Sequence, residues 1–369
     1  MPRPSDIVVV GAGVIGLAVG CELARRGASV RIVDERGAGK GATQASAGIL
    51  APYIEADAAF LDLTVRSLNL FDDFIARLIA DSGVAIPYRR TGTLQVATSF
   101  EAMVALRARA DRLKARDVEL LLLDAAAVRA EEPYISGDVA GGLLVPAHGF
   151  VAVGELVRAL VAAAGTYGAQ FIGGHVQRIS RSDNELAVET DRGVVNGDRV
   201  VLAAGSWSGR IEIEGVEKRL PVRPVRGQLL YLSWDGPPLA RVTWGDRCYL
   251  VPWDDGTLLV GATVEDAAFD ERATVAGVRG LLEAASELVP QASTAGFVGA
   301  RVGLRPGSPD EMPIVGPSRR LAGLMYASGH YRNGVLLSPL TAQLVADSLL
   351  DNVTDEMLGA FGPDRFGNY

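Results

Sequence analysis

Gly11, Gly13 and Gly16 stand in G-x-G-x-x-G spacing within "DIVVVGAGVIGLAVGCELARRGASVRIVDERG", near the start of a 369-residue chain. Glycines at these intervals, after an apolar run and before a helical pattern, form a backbone cradle for a pyrophosphate. Gly11 makes the tight turn, Gly13 lets the main chain approach the phosphates, and Gly16 lets helix and strand pack closely. The helix start adds N–H groups and a partial positive charge. Asp34 follows 18 residues after Gly16, near the spacing for a carboxylate on ribose hydroxyls. Far downstream are two arginines in uncommon settings. In "ARVGLRPGSPD", a strand over 300–304 puts Arg301, Gly303 and Arg305 on one face. Gly303 then leaves room for a planar ring and Arg305 reaches past it. In "ASGHYRNGVLLSP", Arg332 lies with His330, Tyr331 and Asn333 between Gly329 and Gly334. A guanidinium fork at either place could take an anionic oxygen pair through two charge-assisted hydrogen bonds.

These side chains need elements to carry them. Residues 6–10 read as a strand buried on both faces, with a helix after the glycines and a second strand over 29–33. Helical periodicity recurs over 59–82, 100–114, 153–167, 274–288 and 335–350. Strand-like runs cover 93–97, 169–172, 175–180, 186–189, 200–203, 228–234, 248–252 and 257–261, with "DDGT" as a hairpin turn before the last. The expectation is an α/β chain (α+β overall). A discontinuous Rossmann-like domain (1–85, 151–218, 300–369) would carry a parallel sheet with strands near Ala169, Val200 and Met325. A second domain (86–150, 219–299) would carry a large, mainly antiparallel sheet.

Composition narrows the function classes. Hydrophobic residues make up 49% and charged residues 22%, which suits a packed globular chain. The net charge of −8 disfavours nucleic acid. Two cysteines, Cys21 and Cys248, offer neither a disulfide framework nor a metal spacing, and three scattered histidines offer no zinc site. No apolar run reaches a membrane span, and the N-terminus lacks a signal-peptide pattern, so a cytoplasmic protein is expected.

FAD is favoured over NAD by three features. There is a single complete fingerprint. A small-residue loop, "GKGATQASAGIL", follows the second strand and offers Thr43 and Ser46. The run "DRVVLAAGSWSG" ends a strand in Ala204-Gly205, at the carboxyl edge where such sheets bind ligands.

The segments "VVVGAGVIGLAVG", "ATQASAGILAPY", "EEPYISGDVAGGL", "VVLAAGSWSG", "PVRPVRGQLL", "CYLVPWDDGTLLVGATVE", "VGLRPGSPDEMPIVG" and "SGHYRNGVLLSP" occur in this order. Together they make the chain resemble the D-amino-acid-oxidase-like FAD-dependent oxidoreductases, glycine-oxidase type, of thiamin biosynthesis. That resemblance implies non-covalent FAD, since "PGSPDEMPIVG" lacks the cysteine to which sarcosine-oxidase relatives attach the ring. It implies oxidative deamination of glycine, with sarcosine or small D-amino acids as further substrates. Hydride passes to flavin and on to dioxygen, giving an oxo acid, ammonia and peroxide, or an imine for thiazole synthesis. Arg305 would bind the substrate carboxylate, Tyr249 would add a hydroxyl, and Arg332 would lie near flavin and substrate, with no obligatory protein base. FAD would be met by Gly11, Gly13, Val14, Ile15, Gly16, Asp34, Thr43, Ser46, Ala47, Gly48, Val176, Ala204, Gly205, Gly303, Arg305, His330, Arg332, Asn333, Gly334 and Val335. His330 reads as packed rather than as a base. Gln44 stands where a hydroxyl residue is common in the family, and Ile49, Tyr53, Val264 and Tyr249 would set pocket width. The 335–350 helix would aim its positive end at the flavin pyrimidine edge. A homotetramer is implied too. The competing readings are a D-amino-acid oxidase or dehydrogenase of broader range, and a flavin-binding protein without catalysis.

Overall fold

The computed structural model describes residues 6–55, 58–236 and 239–369. Asp6–Val10 lies inside a six-stranded sheet ordered Ile314–Pro317, Leu324–Ser328, Arg199–Leu202, Asp6–Val10, Ser29–Asp34, Gln170–Gly173. All neighbours are parallel except the first pair. Helices cover one face, so Ile7 and Val9 pack in one core while Val8 and Val10 pack in another on the far side. This two-sided burial is why the strand reads as an unbroken apolar run. The helix Val14–Arg25 is buried nearly all round, because it sits between the sheet, the helix Val153–Thr166 and the C-terminal helix Gly334–Leu350. Gly20 seats the helix on the second strand: a Cβ there would stand 2.7 Å from Ile32 Cδ1.

The C-terminal helix contains Pro339, which cannot donate to the Val335 carbonyl. Ser338 Oγ donates to that carbonyl instead, at 2.8 Å, and Ser67 Oγ donates to the Leu336 carbonyl at 2.7 Å. The helix therefore continues through the proline. The expected helix over 59–82 is two helices, Ala58–Asn69 and Phe71–Ser82. The first packs on the C-terminal helix and the second on Val153–Thr166, so one straight rod could not bury both faces.

The second sheet has eight strands in the order Gly296–Gly307, Arg223–Ser233, Thr257–Gly261, Tyr249–Pro252, Val242–Trp244, Thr93–Ala97, Gly141–Val145, Leu121–Asp124. Only Val242–Trp244 and Thr93–Ala97 pair in parallel. The "DDGT" turn forms as expected, with Gly256 at φ +80° and Asp255 Oδ1 accepting from Thr257 N–H at 2.9 Å. The arginine-bearing strand Gly296–Gly307 pairs along Arg223–Ser233 for its whole length, so the expected division at 299/300 falls inside an element. That strand belongs to the large sheet, and its C-terminal end reaches the nucleotide sheet. A three-stranded sheet of Ile49–Leu50, Gly149–Val151 and Tyr88–Arg89 likewise joins segments from both sides of the expected 85/86 and 150/151 boundaries. Among the described residues no helix is long and apolar enough to cross a membrane.

Candidate functional site

A cavity of about 510 Å³ lies where the two sheets meet. Its wall takes in the glycine loop, the 41–49 loop, the end of the strand Arg199–Leu202, the Trp244–Tyr249 hairpin, Leu304–Pro306 and 327–335. A cavity of this size, lined by apolar side chains together with several charged and polar ones such as Asp34, Arg36, Arg210, Arg305 and Arg332, has the form of a ligand site.

The three glycines turn out to serve three different needs. Gly11 has φ +109°, and a Cβ there would stand 2.4 Å from the Ala203 carbonyl oxygen, so it joins two strand ends. A Cβ on Gly16 would stand 1.9 Å from the Gly11 carbonyl oxygen, so Gly16 seats helix against strand and does not line the cavity. Gly13 is different. Its backbone is extended (φ −73°, ψ 176°), and a Cβ would meet nothing closer than Thr43 Oγ1 at 3.5 Å. Among the described residues nothing requires a glycine there, so the position leaves open space on the cavity side.

Asp34 is engaged twice over. Its Oδ2 accepts from Ala12 N–H at 2.8 Å, and its Oδ1 accepts from the N–H groups of Arg36 and Gly37 at 2.7 and 2.8 Å. The carboxylate thus braces the glycine loop while still lining the cavity. Asp34→Ala is expected to weaken FAD retention about ten-fold, for the loss of brace and ribose contact together at roughly 1.5 kcal/mol for a charged hydrogen bond. Equilibrium dialysis of the apoprotein checks it; unchanged affinity would remove Asp34 from the ribose.

Thr43 Oγ1 accepts from Val14 N–H at 3.0 Å and so pins the small-residue loop to the helix start. Ser46, Ala47 and Gly48 follow along the wall, as do Ile15, Val176, Ala204 and Gly205. Gly303 does not line it. A Cβ on Gly303 would come within 3.1 Å of Ala45 Cβ and Ala42 Cα, so this glycine makes room for the 42–45 turn rather than for a ring. Gln44 stays outside the wall, its carbonyl facing Arg301 Nη1 at 3.4 Å. Tyr53 is outside it as well; its ring stacks on buried His148 at 5.3 Å, and it sets no cavity width.

Arg305 enters the wall from the large sheet. Its Nη1 donates to the Thr263 carbonyl at 3.0 Å and to the Arg226 carbonyl at 3.4 Å. On the neighbouring strand, a Cβ on Gly227 would stand 2.3 Å from Arg305 Nη1 and 2.5 Å from Cζ. Tyr249 is lodged in the same way: a Cβ on its cross-strand partner Gly261 would stand 2.3 Å from the phenol oxygen. Each side chain lies flat over a glycine notch, and the sequence reading missed both notches. The available signal was a glycine inside a strand pattern, in "RGQLL" and "LLVGA", which marks a close approach. Gly227→Ala is expected to displace the guanidinium and raise the substrate KM about ten-fold, with FAD content unchanged, since a misplaced clamp costs of the order of 1–2 kcal/mol. Steady-state kinetics on FAD-replete protein reads this.

The stretch around Arg332 is docked on the end of the arginine strand. Tyr331 N–H donates to the Pro306 carbonyl at 3.0 Å, and Gly307 and His330 form an antiparallel bridge. Gly329 (φ +71°) and Tyr331 (φ +48°) turn the chain. Arg332 lies over the Tyr331 ring at 5.1 Å, on the exposed side of the wall. His330 is buried, its Nε2 3.0 Å from Thr341 Oγ1, and burial drives its pKa down to about 3. It is therefore a neutral packed histidine. Asn333, Gly334 and Val335 then open the C-terminal helix, whose N-cap makes no side-chain hydrogen bond. Two helix N-termini without a capping side chain of their own, at Gly13 and Asn333, thus reach one cavity. Cys248 also lines the wall, where burial pushes its thiol up to about 12 and keeps it protonated.

Residues 6–348 match the family model DAO, FAD dependent oxidoreductase. The chain belongs to this family. Among its relatives, the bifunctional protein ThiO/ThiG of Trichormus variabilis is 35% identical over 98% of this chain. The chain spans only 55% of that relative's length. Glycine oxidase of Bacillus subtilis is 31% identical, over 99% of this chain and 98% of its own length. The crystal structure of glycine oxidase from Geobacillus kaustophilus superposes with a TM-score of 0.92 at 32% identity, covering 100% of this chain and 99% of that one. The FAD of this family fits the residues present. Gly13 leaves open the space a pyrophosphate needs, two helix starts face the cavity, and Asp34 stands at the end of the second strand.

Proposed function

We propose that the protein oxidises glycine, with sarcosine and small D-amino acids as secondary substrates. Glycine, dioxygen and water give glyoxylate, ammonia and hydrogen peroxide, or the imine is passed on to thiazole formation. FAD, when bound, supplies the two-electron acceptor and the route to dioxygen, which no side chain in the wall can provide.

The observation that carries this reading is Arg305 held flat over Gly227 in the cavity wall. Its outer N–H groups can bind a carboxylate as a fork, while Thr263 and Arg226 fix its near edge. Tyr249, over Gly261, adds a hydroxyl to the same wall and, with Trp244 at 4.9 Å, limits how large a side chain the substrate can carry. Ile49 and Val264 narrow the cavity further. His330 stays neutral and committed to Thr341, so it takes no proton from the substrate. The chain's contribution is then orientation: carboxylate clamped, neutral amine and Cα–H turned toward the face where the two helix starts converge. Arg332 stands at the exposed side of this wall, placed to meet the ligand's outer edge.

A cytoplasmic homo-oligomer, tetrameric by likeness to glycine oxidases, completes the reading, and light scattering checks the assembly. The activity itself is tested by peroxide release in air across glycine, sarcosine, D-alanine, D-proline and L-amino acids. Glycine is expected to lead. Turnover with an artificial acceptor alone would replace oxidase by dehydrogenase, and D-proline leading by ten-fold would replace the substrate.

A further inference from the structure

After the strand Thr257–Gly261, the chain leaves the large sheet, crosses to the nucleotide sheet and returns to the helix Val275–Leu288. Its root is tied to the strand Arg223–Ser233. Arg226 and Glu265 form an antiparallel bridge, with N–H to carbonyl distances of 2.9 and 3.0 Å. The buried Arg226 guanidinium reaches Glu265 at 2.5 Å and Asp270 at 3.1 Å. Fully buried Gln228 donates to Glu265 at 2.7 Å and to Thr274 at 2.9 Å.

The far end is tied to the other sheet. Phe269 is covered by the Arg210 guanidinium at 3.5 Å and packs on Trp207 at 5.8 Å. Arg36 lies over the Trp207 ring at 5.0 Å and pairs with Glu271 at 2.9 Å. Arg36, Trp207 and Arg210 all line the cavity. On the strand side of the root, the Thr263 carbonyl accepts from Arg305 at 3.0 Å, while Thr263 Oγ1 accepts from Gln228 N–H at 2.9 Å and donates to Glu265 at 2.5 Å.

We infer that residues 262–272 are a strap that closes over the dinucleotide end of the cavity and at the same time positions Arg305, with Phe269 as its latch and Glu265 as its root. The inference rests on the cavity holding FAD and, for its second half, on Arg305 gripping a carboxylate. Phe269 and Glu265 are positioning residues, since neither lines the cavity. A loosened latch frees the nucleotide, whereas a loosened root, by freeing the Thr263 hydroxyl from Glu265, lets the Thr263 carbonyl drift and weakens the grip on the substrate.

The test uses FAD-loaded protein. Release of FAD is followed by the gain in its fluorescence after dilution, which needs no turnover. Phe269→Ala is expected to release FAD about ten-fold faster, and Phe269→Tyr to restore the rate, because the alanine removes the ring that Arg210 covers and Trp207 packs on. Glu271→Gln, at a half-exposed pair, gives a smaller rise of about two-fold and serves if Phe269→Ala folds poorly. At saturating FAD, acetate binding, read from the perturbed flavin absorbance, is expected to weaken several-fold in Glu265→Gln, which loosens the root beside Thr263. Unchanged FAD release in Phe269→Ala and Glu271→Gln would overturn the strap. Unchanged acetate affinity in Glu265→Gln would overturn the link to Arg305. Failure of the glycine reading looks different: wild-type protein would neither turn over glycine nor bind acetate, while the release rates would still judge the latch.

Discussion

Arg305→Ala is expected to lower kcat/KM for glycine by at least 100-fold while the protein still purifies yellow. The magnitude follows from losing one member of a desolvated charge pair, about 3 kcal/mol, at 1.4 kcal/mol per factor of ten. The loss should fall mainly on KM, because the fork binds the carboxylate in the ground state and the transition state alike. FAD is retained because its phosphate cradle, the loop around Gly13, is built by another sheet. Arg305→Lys should recover little, since a point charge cannot make the paired hydrogen bonds. The measurement is steady-state kinetics with flavin content determined on the same samples. A KM within two-fold of wild type would remove the carboxylate grip from Arg305.

Gly13→Asp is expected to separate folding from cofactor binding. The backbone at Gly13 is extended, a conformation any residue adopts, and the site has open space beyond 3.5 Å. Asp is also a favoured helix N-cap, so the apoprotein should be as stable as wild type, or more so by a few tenths of a kcal/mol. The same carboxylate would point into the space the pyrophosphate needs. Repulsion between like charges about 4 Å apart, near the protein surface, costs about 4 kcal/mol, a loss of roughly a thousand-fold in FAD affinity. The expected result is a colourless, folded protein with an unchanged apoprotein melting temperature. Gly16→Ala is the contrast: its Cβ would overlap the Gly11 carbonyl at 1.9 Å, so it should damage fold and binding together.

These two variants also mark what the sequence makes legible. The glycine loop is local: strand, turn and helix are contiguous, and the spacing of Gly11, Gly13 and Gly16 carries its own geometry. Buried strands such as 6–10 and 200–203 announce themselves by unbroken apolar runs, whereas short strands such as 121–124, 141–145, 242–244 and 314–317 carry no such signal and went unread. What escaped depends on partners distant in sequence. Gly303 makes room for Ala42 and Ala45, some 260 positions earlier, and no local pattern distinguishes that from room for a ring. The notch at Gly261 acquires meaning only when register sets it opposite Tyr249, and that at Gly227 only when the Arg305 side chain reaches across the neighbouring strand. Tyr53 turns away because His148, 95 residues later, stacks on it and accepts from its N–H. The division at 300 failed because a long strand can belong to one sheet and deliver its last residues to a site shared with another.

The proposed function requires one cavity that joins an FAD cradle from the nucleotide sheet to an amino-acid clamp from the large sheet. The most direct measurement is the visible spectrum of the purified yellow protein, under argon, as glycine is added. The account predicts that the flavin bleaches with glycine, that the colour returns on admitting air, and that one peroxide appears per glycine consumed. A protein that holds FAD and keeps its colour at saturating glycine would contradict it.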